Sequence, residues 1–312
     1  MDDELAEFFR EMFRIDVNRP DVKGIEFPIF EEVLALTDLA IIRKEAFRNF
    51  DLENRTDKSG RLRRVGQYLV FLVAAILHEK VKRRAKCHRL LVQRLADSDS
   101  LRRVVFVSTN YDILIDNALT DQHSVVDLDY GIEFRNIEDW DPPLRGREVR
   151  LYKPHGSLNW LLCGTCGELD ITPKEKGVIT RMISANEACR HCRNQYSPLI
   201  VPPTFYKDLN NVFLSSVWNQ TETALGLVNH VIFCGYSFAD ADMHVKYLLK
   251  RAQTNRDGDL KFTVINQHKT KTPEEADTEK RRYQRFLGPD VDYTNLSFEE
   301  FAHDPMAVLR AR

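Results

Sequence analysis

Six cysteines occur in this 312-residue sequence, and four of them form two closely spaced pairs. The pairs are Cys163-x-x-Cys166 and Cys189-x-x-Cys192, and 22 residues separate them. Each pair can close a tight turn around one metal ion, and four thiolates form a tetrahedral donor set that fits zinc. The spacing therefore predicts one structural zinc ion, with a pair of disulfides or free thiols as the alternative. Because four sulfurs complete the coordination shell, the ion is expected to support the fold and not to catalyse.

A second group of polar residues follows two predicted strands. Asn110 and Asp112 come after the apolar run Val104 to Ser108, and His155 follows a short run from Val149 to Tyr152. Polar side chains at strand ends lie where open α/β sheets bind ligands. Imidazole can accept a proton near neutral pH, and an amide or carboxylate beside it can orient a water or a ribose hydroxyl. His155 is therefore a candidate general base, and a hydrogen-bonded histidine in an ordinary turn is the alternative.

Two further polar positions follow predicted strands later in the chain. Gly235 and Ser237 lie between the run His230 to Cys234 and a helical pattern, and Asn266 follows the run Phe262 to Ile265. A glycine at such a turn lets backbone amides approach an anion, and a serine adds a hydroxyl group. These positions are candidate nucleotide contacts, although any strand-to-helix turn can use a glycine.

Helical and strand-like patterns alternate from about residue 104 onward. The predicted strands are residues 104–108, 149–152, 230–234 and 262–265. The predicted helices are residues 4–13, 30–46, 61–97, 113–119, 214–228, a helix ending near 252, and 274–285, followed by an irregular tail. Strands that alternate with helices favour a doubly wound parallel sheet, so the predicted fold class is α/β.

The composition is that of a soluble globular protein, with 43% apolar and 29% charged residues. Forty-five basic against 47 acidic residues leave a net charge of -2, so bulk charge indicates neither a nucleic-acid nor a membrane partner. The longest apolar run, Tyr68 to Leu77, is about half the length of a membrane-spanning helix. The acidic N-terminus is unlike a secretion signal, and paired cysteine knuckles suit a reducing compartment. We therefore expect a cytoplasmic protein.

Taken together and in this order, the motifs resemble the sirtuin family, and more closely its bacterial sirtuin-like branch. The resemblance extends from about Val104 to Asn266. The matching segments are Thr-Asn-Tyr-Asp at 109–112, Lys-Pro-His-Gly-Ser at 153–157, the two cysteine pairs, Gly-Tyr-Ser-Phe at 235–238 and Ile-Asn at 265–266. Five motifs in the family's order are hard to obtain by chance.

The resemblance implies a Rossmann-like NAD-binding domain formed by residues 1–157 and 197–312, with a zinc-binding insertion at 158–196. It implies NAD as the substrate and Zn²⁺ as a structural ion. In the catalytic set, His155 would be the general base, Asn110 would position ribose and water, and Asp112 would hold the nicotinamide amide. The implied nucleotide contacts are Thr109, Gly235, Ser237 and Asn266.

Two departures from the family pattern affect the expected activity. The family's Gly-Ala-Gly-x-Ser loop is absent from the sequence, and the helix at 4–13 resembles the one that normally follows it. We therefore expect the first strand and its phosphate loop to be missing. Deacylating sirtuins carry Phe-Gly-Glu after the zinc ribbon, where this sequence reads Val201-Pro202-Pro203-Thr204-Phe205. Prolines cannot donate the hydrogen bonds by which a peptide strand would be added, which favours water as the acceptor.

The resemblance thus implies an NAD⁺ hydrolase that cleaves the nicotinamide–ribose bond and releases nicotinamide and ADP-ribose. In the bacterial branch such domains act as anti-phage effectors, as homo-oligomers or with a partner ATPase or Argonaute-like protein. An NAD-dependent protein-lysine deacylase is the first alternative. A catalytically silent module that binds a nucleotide or a partner is the second.

Overall fold

The computed structural model of the protein describes residues 3–19, 26–52, 60–121, 127–134, 148–172, 188–194, 196–201, 211–240, 242–267, 269 and 271–310. The chain divides into two compact units. The first comprises Met1–Glu79 and Val201–Asp208, and the second comprises Lys80–Ile200 and Leu209–Arg312. The division falls within one long helix, after Glu79.

Helices form the first unit. They are α1 (Asp3–Phe13), α2 (Phe30–Arg43) and the first half of α3 (Arg61–Asp97). Their apolar faces meet in a core in which the ring of Phe8 packs edge-on against Phe50, with ring centroids 5.1 Å apart. An ion pair between Arg64 and Glu4, 2.8 Å from Nη2 to Oε1, joins α3 to α1. The three helices predicted before residue 100 are confirmed.

Two parallel sheets and one antiparallel sheet belong to the second unit. The strands in chain order are β1 (Val105–Val107), β2 (Asp127–Asp129), β3 (Glu148–Tyr152), β4 (Gly156–Cys163), β5 (Leu169–Ile171), β6 (Tyr196–Ile200), β7 (His230–Cys234), β8 (Lys261–Ile265) and β9 (Asp292–Thr294). The parallel sheets have the orders β1-β3-β2 and β7-β8-β9, and the antiparallel sheet has the order β5-β4-β6. The predicted α/β fold is confirmed, with its parallel strands in two three-stranded sheets among the described residues.

Helices precede, connect and follow these strands. They are the second half of α3, α4 (Leu114–Thr120), α5 (Val212–Leu227), α6 (Met243–Thr254), α7 (Pro273–Leu287), α8 (Phe298–His303) and α9 (Pro305–Leu309). Aromatic rings from β7, β8 and α7, including Phe233, Phe262 and Tyr283, fill the core beside the second parallel sheet.

The end of the chain is regular, so the predicted irregular tail is wrong. It contains β9 and the two short helices α8 and α9. Ser297 and Glu300 form a reciprocal capping box at the start of α8, and Asp304 accepts a hydrogen bond from the Ala307 amide in α9. Such caps stabilise helices too short to show a clear apolar period.

The described residues before Val105 contain helices and an isolated bridge between Phe47 and Phe50, and no strand. Among the helices that the structure describes, none has both the length and the apolar character needed to cross a bilayer.

Gly156 begins β4 in a conformation that only glycine adopts without strain. Its φ is +81°, and a Cβ atom there would lie 2.0 Å from the carbonyl oxygen of Leu199. Gly156 and Ile200 are paired across β4 and β6, so backbone from the neighbouring strand occupies the space of a side chain. The glycine of the His-Gly motif is therefore a requirement of the sheet.

We predict that Gly156→Ala destabilises the protein by at least about 2 kcal/mol, since it combines left-handed backbone strain with a clash against main chain. Chemical denaturation would measure the change. Gly164→Ala is the matched control, because a Cβ atom at Gly164 meets nothing within 4 Å. Equal stabilities for the two variants would contradict the close approach at Gly156.

Candidate functional site

The candidate catalytic residues are brought together by the parallel pairing of β1 and β3. Val107 pairs with Tyr152, so the turn that follows β1 and the segment that follows β3 leave the sheet at the same edge. The Ser108 amide donates to the Tyr152 carbonyl over 2.9 Å, and the Leu158 amide donates to the Tyr111 carbonyl over 3.0 Å. These bonds hold the 109–112 turn against the 153–158 segment.

His155 is buried at this edge and faces the turn. Its side chain is 2% exposed, and its Nδ1 lies 3.3 Å from the carbonyl oxygen of Thr109. A carbonyl oxygen can only accept a hydrogen bond, so this contact requires the proton on Nδ1. In the neutral ring the lone pair then resides on Nε2, which is the nitrogen that can accept a proton.

Asn110 and Asp112 lie on the same turn as Thr109. Asn110 is exposed, and its backbone amide donates to the Ser108 hydroxyl over 3.3 Å. Asp112 is half-buried, and its Oδ1 accepts a hydrogen bond from the Leu114 amide at the start of α4 over 3.0 Å. One carboxylate oxygen of Asp112 is therefore engaged in starting the helix.

A charged pair that the sequence reasoning missed lies beneath the turn. Lys153 is fully buried, and its Nζ is 3.1 Å from Oδ2 of the buried Asp116. Tyr130 donates to the other carboxylate oxygen over 2.7 Å. Burial and the negative charge of Asp116 raise the pKa of Tyr130 well above its usual value, so its hydroxyl stays protonated. The signal available in the sequence was an aspartate inside the apolar helical run Ile113 to Leu119.

Aromatic side chains lead from His155 toward the second parallel sheet. The His155 and Trp218 ring centroids are 6.1 Å apart, and those of Trp218 and His244 are 6.2 Å apart. Trp218 is on α5 and His244 is on α6, the helix that follows the Gly235 loop. Within the part of the chain that the structure describes, the buried Nε1 of Trp218 has no hydrogen-bond partner. In the sequence, helical spacing alone marks this residue.

Gly235 and Asn266 follow neighbouring strands at one edge of the second parallel sheet. Cys234 pairs with Ile265, so the two residues leave the sheet side by side. Gly235 is exposed with a φ of +64°, and a Cβ atom there would meet nothing within 4 Å. Ser237 is also exposed, and its carbonyl accepts a hydrogen bond from Arg282 over 3.0 Å. This loop can present backbone amides and a hydroxyl to a ligand.

The side chain of Asn266 is engaged within the protein. Its Nδ2 donates to Glu279 over 2.7 Å and to the Tyr293 hydroxyl over 3.0 Å, and Lys271 donates to its Oδ1 over 3.4 Å. Burial alone would raise the pKa of Glu279, but hydrogen bonds from Lys271 and Tyr293 hold it below its usual value. The structure thus gives Asn266 a structural contact with α7, and a ribose contact would have to share or replace these bonds.

The four predicted metal ligands lie in one cluster. Their Sγ atoms are all within 4.8 Å of one another, and the Cys163–Cys192 and Cys166–Cys189 pairs are 3.3 and 3.5 Å apart. Each knuckle closes in the same way, because Gly167 donates to the Cys163 carbonyl and Arg193 donates to the Cys189 carbonyl. Both of these donor residues have positive φ angles. All four thiols are free.

This cluster fits a zinc ion. A tetrahedral shell with Zn–S bonds of about 2.3 Å separates its sulfurs by roughly 3.8 Å, close to the spacing of the two pairs. Burial alone would raise the pKa of the Cys189 thiol, but backbone amides of Cys192 and His191 lower it to about 6. In the same cluster the Glu168 backbone lowers the pKa of the Cys166 thiol, but burial and the neighbouring thiols raise it to about 12. A zinc ion would hold all four as thiolates.

Parts of the predicted site lie outside the described residues. Most of the connection between the two knuckles, residues 173–187, is among them. Residues 202–205 also lie outside the described residues. They belong to the segment Val201 to Phe205, whose prolines favour hydrolysis over deacylation.

The family of the chain follows from its sequence. Residues 104–286, more than half of the chain, match the family model described as SIR2-like domain. This range contains both edges and the cysteine cluster. The protein therefore belongs to the SIR2-like domain family. Among curated proteins, none matches the sequence significantly.

Solved sirtuin structures resemble the fold at low identity. A mutant of a Sir2 homologue in complex with 2'-O-acetyl ADP ribose is 15% identical, with 85% of this chain and 80% of that chain covered at a TM-score of 0.46. Sir2 bound to acetylated peptide is 14% identical, with 72% and 70% covered at a TM-score of 0.39. A Sir2 complex with a p53 peptide and NAD⁺ gives the same identity, coverage and TM-score.

We predict that the isolated protein contains about one zinc ion per chain, and that Cys163→Ser or Cys189→Ser removes it. The loss should lower the melting temperature by about 10 °C or more, since metal binding is coupled to folding. Metal analysis and thermal unfolding would measure both effects. Cys87→Ser, which changes a half-buried cysteine outside the cluster, is the control. A quadruple cysteine variant that folds normally without metal would refute a structural ion.

Proposed function

We propose that the protein is an NAD⁺ hydrolase that cleaves the nicotinamide–ribose bond and releases nicotinamide and ADP-ribose. The observation that carries this proposal is the contact between His155 Nδ1 and the Thr109 carbonyl, which leaves Nε2 as a base at a sheet edge lined by Asn110 and Asp112. Membership of the SIR2-like domain family supports NAD as the substrate.

The residues of the turn and of His155 have distinct roles in the proposed reaction. The bond between C1' of the ribose and the nicotinamide nitrogen breaks, and its electron pair leaves with nicotinamide. A water molecule oriented by Asn110 attacks C1', and His155 Nε2 accepts a proton from that water or from a ribose hydroxyl. Asp112 holds the nicotinamide amide, and its negative charge stabilises the positive charge that develops on the sugar.

The second edge would hold the remainder of the dinucleotide. Backbone amides at Gly235 and the Ser237 hydroxyl are suited to the pyrophosphate, because both are exposed at the turn after β7. Asn266 is proposed as the ribose contact at the end of β8. Thr109 completes the nucleotide contacts next to His155. The four-cysteine cluster would hold Zn²⁺ as a structural ion only.

Water is the proposed acceptor because prolines 202 and 203 stand where deacylating sirtuins pair a peptide with their own backbone. A proline lacks the N–H that such pairing needs. An acyl-lysine deacylase remains the rival activity. It differs in requiring the acyl peptide for nicotinamide release.

We predict that the protein releases nicotinamide from NAD⁺ without any acyl peptide, and that His155→Ala lowers kcat by about 100-fold to 10,000-fold because the general base is lost. Chromatography of the products would measure the rate. His303→Ala, which removes an exposed histidine at the end of α8, is the matched control and should retain full activity.

Three results would redirect the assignment. Equal rates for His155→Ala and the unmodified protein would remove His155 from the reaction. Nicotinamide release only when an acetyl-lysine peptide is added would establish the deacylase. No release under either condition, together with measurable NAD⁺ binding, would indicate a nucleotide-binding module.

For the cellular role, we propose an anti-phage effector of the cytoplasm that depletes NAD⁺ on infection. Support comes from the motif resemblance to the bacterial branch and from a zinc-thiolate cluster, which needs reduced cysteines. We propose that it works as a homo-oligomer or with a partner ATPase or Argonaute-like protein. Phage challenge of cells carrying the protein or His155→Ala tests this role through the cellular NAD⁺ level.

A further inference from the structure

Lys153 occupies a buried position in which each donor of its ammonium group has an acceptor. The side chain is fully buried, two residues before His155. Its Nζ lies 2.6 Å from the Asp112 carbonyl oxygen, 2.6 Å from the Ser157 hydroxyl and 3.1 Å from Asp116 Oδ2. An ammonium group has three N–H donors, so this set is complete.

Asp116 is equally well enclosed. Its side chain is 3% exposed, with Lys153 on one carboxylate oxygen and the Tyr130 hydroxyl on the other. A buried charge without a partner strongly disfavours the folded state, whereas a buried pair with full hydrogen bonding is tolerated. Each of the two charged side chains is therefore tolerated in the folded protein because the other is beside it.

The three acceptors lie on different segments of the site. The Asp112 carbonyl belongs to the turn after β1, Asp116 belongs to α4, and Ser157 is in β4 directly beyond the His-Gly pair. His155 lies between Lys153 and Ser157 in the chain. One ammonium group thus joins the turn that carries Asn110 and Asp112 to the segment that carries His155.

We propose that Lys153, with Asp116 as its counter-ion, is a positioning residue that holds the Thr109–Asp112 turn and His155 in their reactive arrangement. Its effect on turnover rests on the proposed NAD⁺ hydrolysis, whereas its effect on the turn does not. Lys153 touches no reacting atom, and it acts through the Asp112 carbonyl and Ser157.

An ion pair kept only for packing behaves differently from a positioning pair. Two apolar side chains of similar size can replace a buried ion pair with little loss of stability, or with a gain. They cannot replace the hydrogen bond to the Asp112 carbonyl. The double substitution therefore separates stability from positioning.

The test compares Lys153→Met, Asp116→Leu and the double variant by thermal unfolding, by hydrogen exchange of residues 109–114 and by nicotinamide release. Each single variant should melt well below the unmodified protein, because one buried charge is left alone. The double variant should melt above both single variants and below the unmodified protein, because no charge is left alone but the Tyr130 hydroxyl has lost its carboxylate partner. It should still exchange the amides of the turn about tenfold faster and show a kcat about 100-fold lower, with a smaller change in KM.

Lys269→Met is the matched control, because the same substitution there breaks an exposed ion pair with Glu300. It should leave both the exchange of residues 109–114 and the kcat unchanged. Ser157→Ala removes one acceptor with little change in volume and covers the case in which the double variant fails to fold. We expect it to fold and to lower kcat about tenfold with KM nearly unchanged.

The proposal would be overturned if the folded double variant kept both the exchange rates of the turn and the kcat of the unmodified protein. If the double variant does not fold, a Ser157→Ala variant with unchanged kcat would overturn it. If the unmodified protein releases no nicotinamide, the proposed function fails by itself. Hydrogen exchange of residues 109–114 in the variants would then still test whether Lys153 positions the turn.

Discussion

The parallel pairing of β1 with β3 is the constraint on which the candidate catalytic centre depends. Val107 and Tyr152 end their strands side by side, so the next few residues of each strand must share the same space. Parallel strands that end side by side bring residues far apart in the sequence to the same edge of a sheet. The pairing explains why His155 can contact Thr109, 46 residues earlier in the sequence.

Backbone pairing alone does not orient the side chains that follow it. The residues beyond β1 and β3 are no longer held by the sheet, and three other contacts restrain them. These are the Leu158 amide bond to Tyr111, the left-handed backbone of Gly156 and the ammonium group of Lys153. Two of them come from the Lys-Pro-His-Gly-Ser segment itself, which accounts for a lysine and a glycine on either side of the histidine.

Much of this arrangement could be predicted from the sequence. Apolar runs of β-branched residues identified β1, β3, β7 and β8, and cysteine spacing identified the cysteine cluster, because each is a local signal. The strands β2, β5 and β9 have three residues each, and each contains an aspartate, so they are too short and too polar to show an apolar run, unlike the equally short β1. The helices α8 and α9 at the chain end were not predicted, because they too have few residues.

The missed site residues depend on contacts far apart in sequence. Asp116 is recognisable only as a charge in an apolar helix until Lys153 is seen beside it, 37 residues later. Asn266 illustrates the converse, because its position after β8 was predicted but its hydrogen bonds to Glu279 and Tyr293 were not. Local patterns place residues at strand ends, whereas partners across the fold determine what each side chain is able to do.

Strand β4 runs from Gly156, next to the candidate base, to Cys163, a member of the cysteine cluster, without a loop between them. Its pairing with β6 is irregular in the middle: Gly156 and Ser157 are paired, and pairing resumes from Leu161 to Cys163. An inserted or deleted residue within either paired stretch would reverse the face of the side chains beyond it, whereas the irregularity between the stretches can take up such a change. Nearly all of β4 is buried, so a reversal within a paired stretch would disturb the packing on both faces. The connection between the knuckles can therefore change in length at modest entropic cost, whereas in β4 the constraint falls on the two paired stretches, one next to His155 and one ending at Cys163.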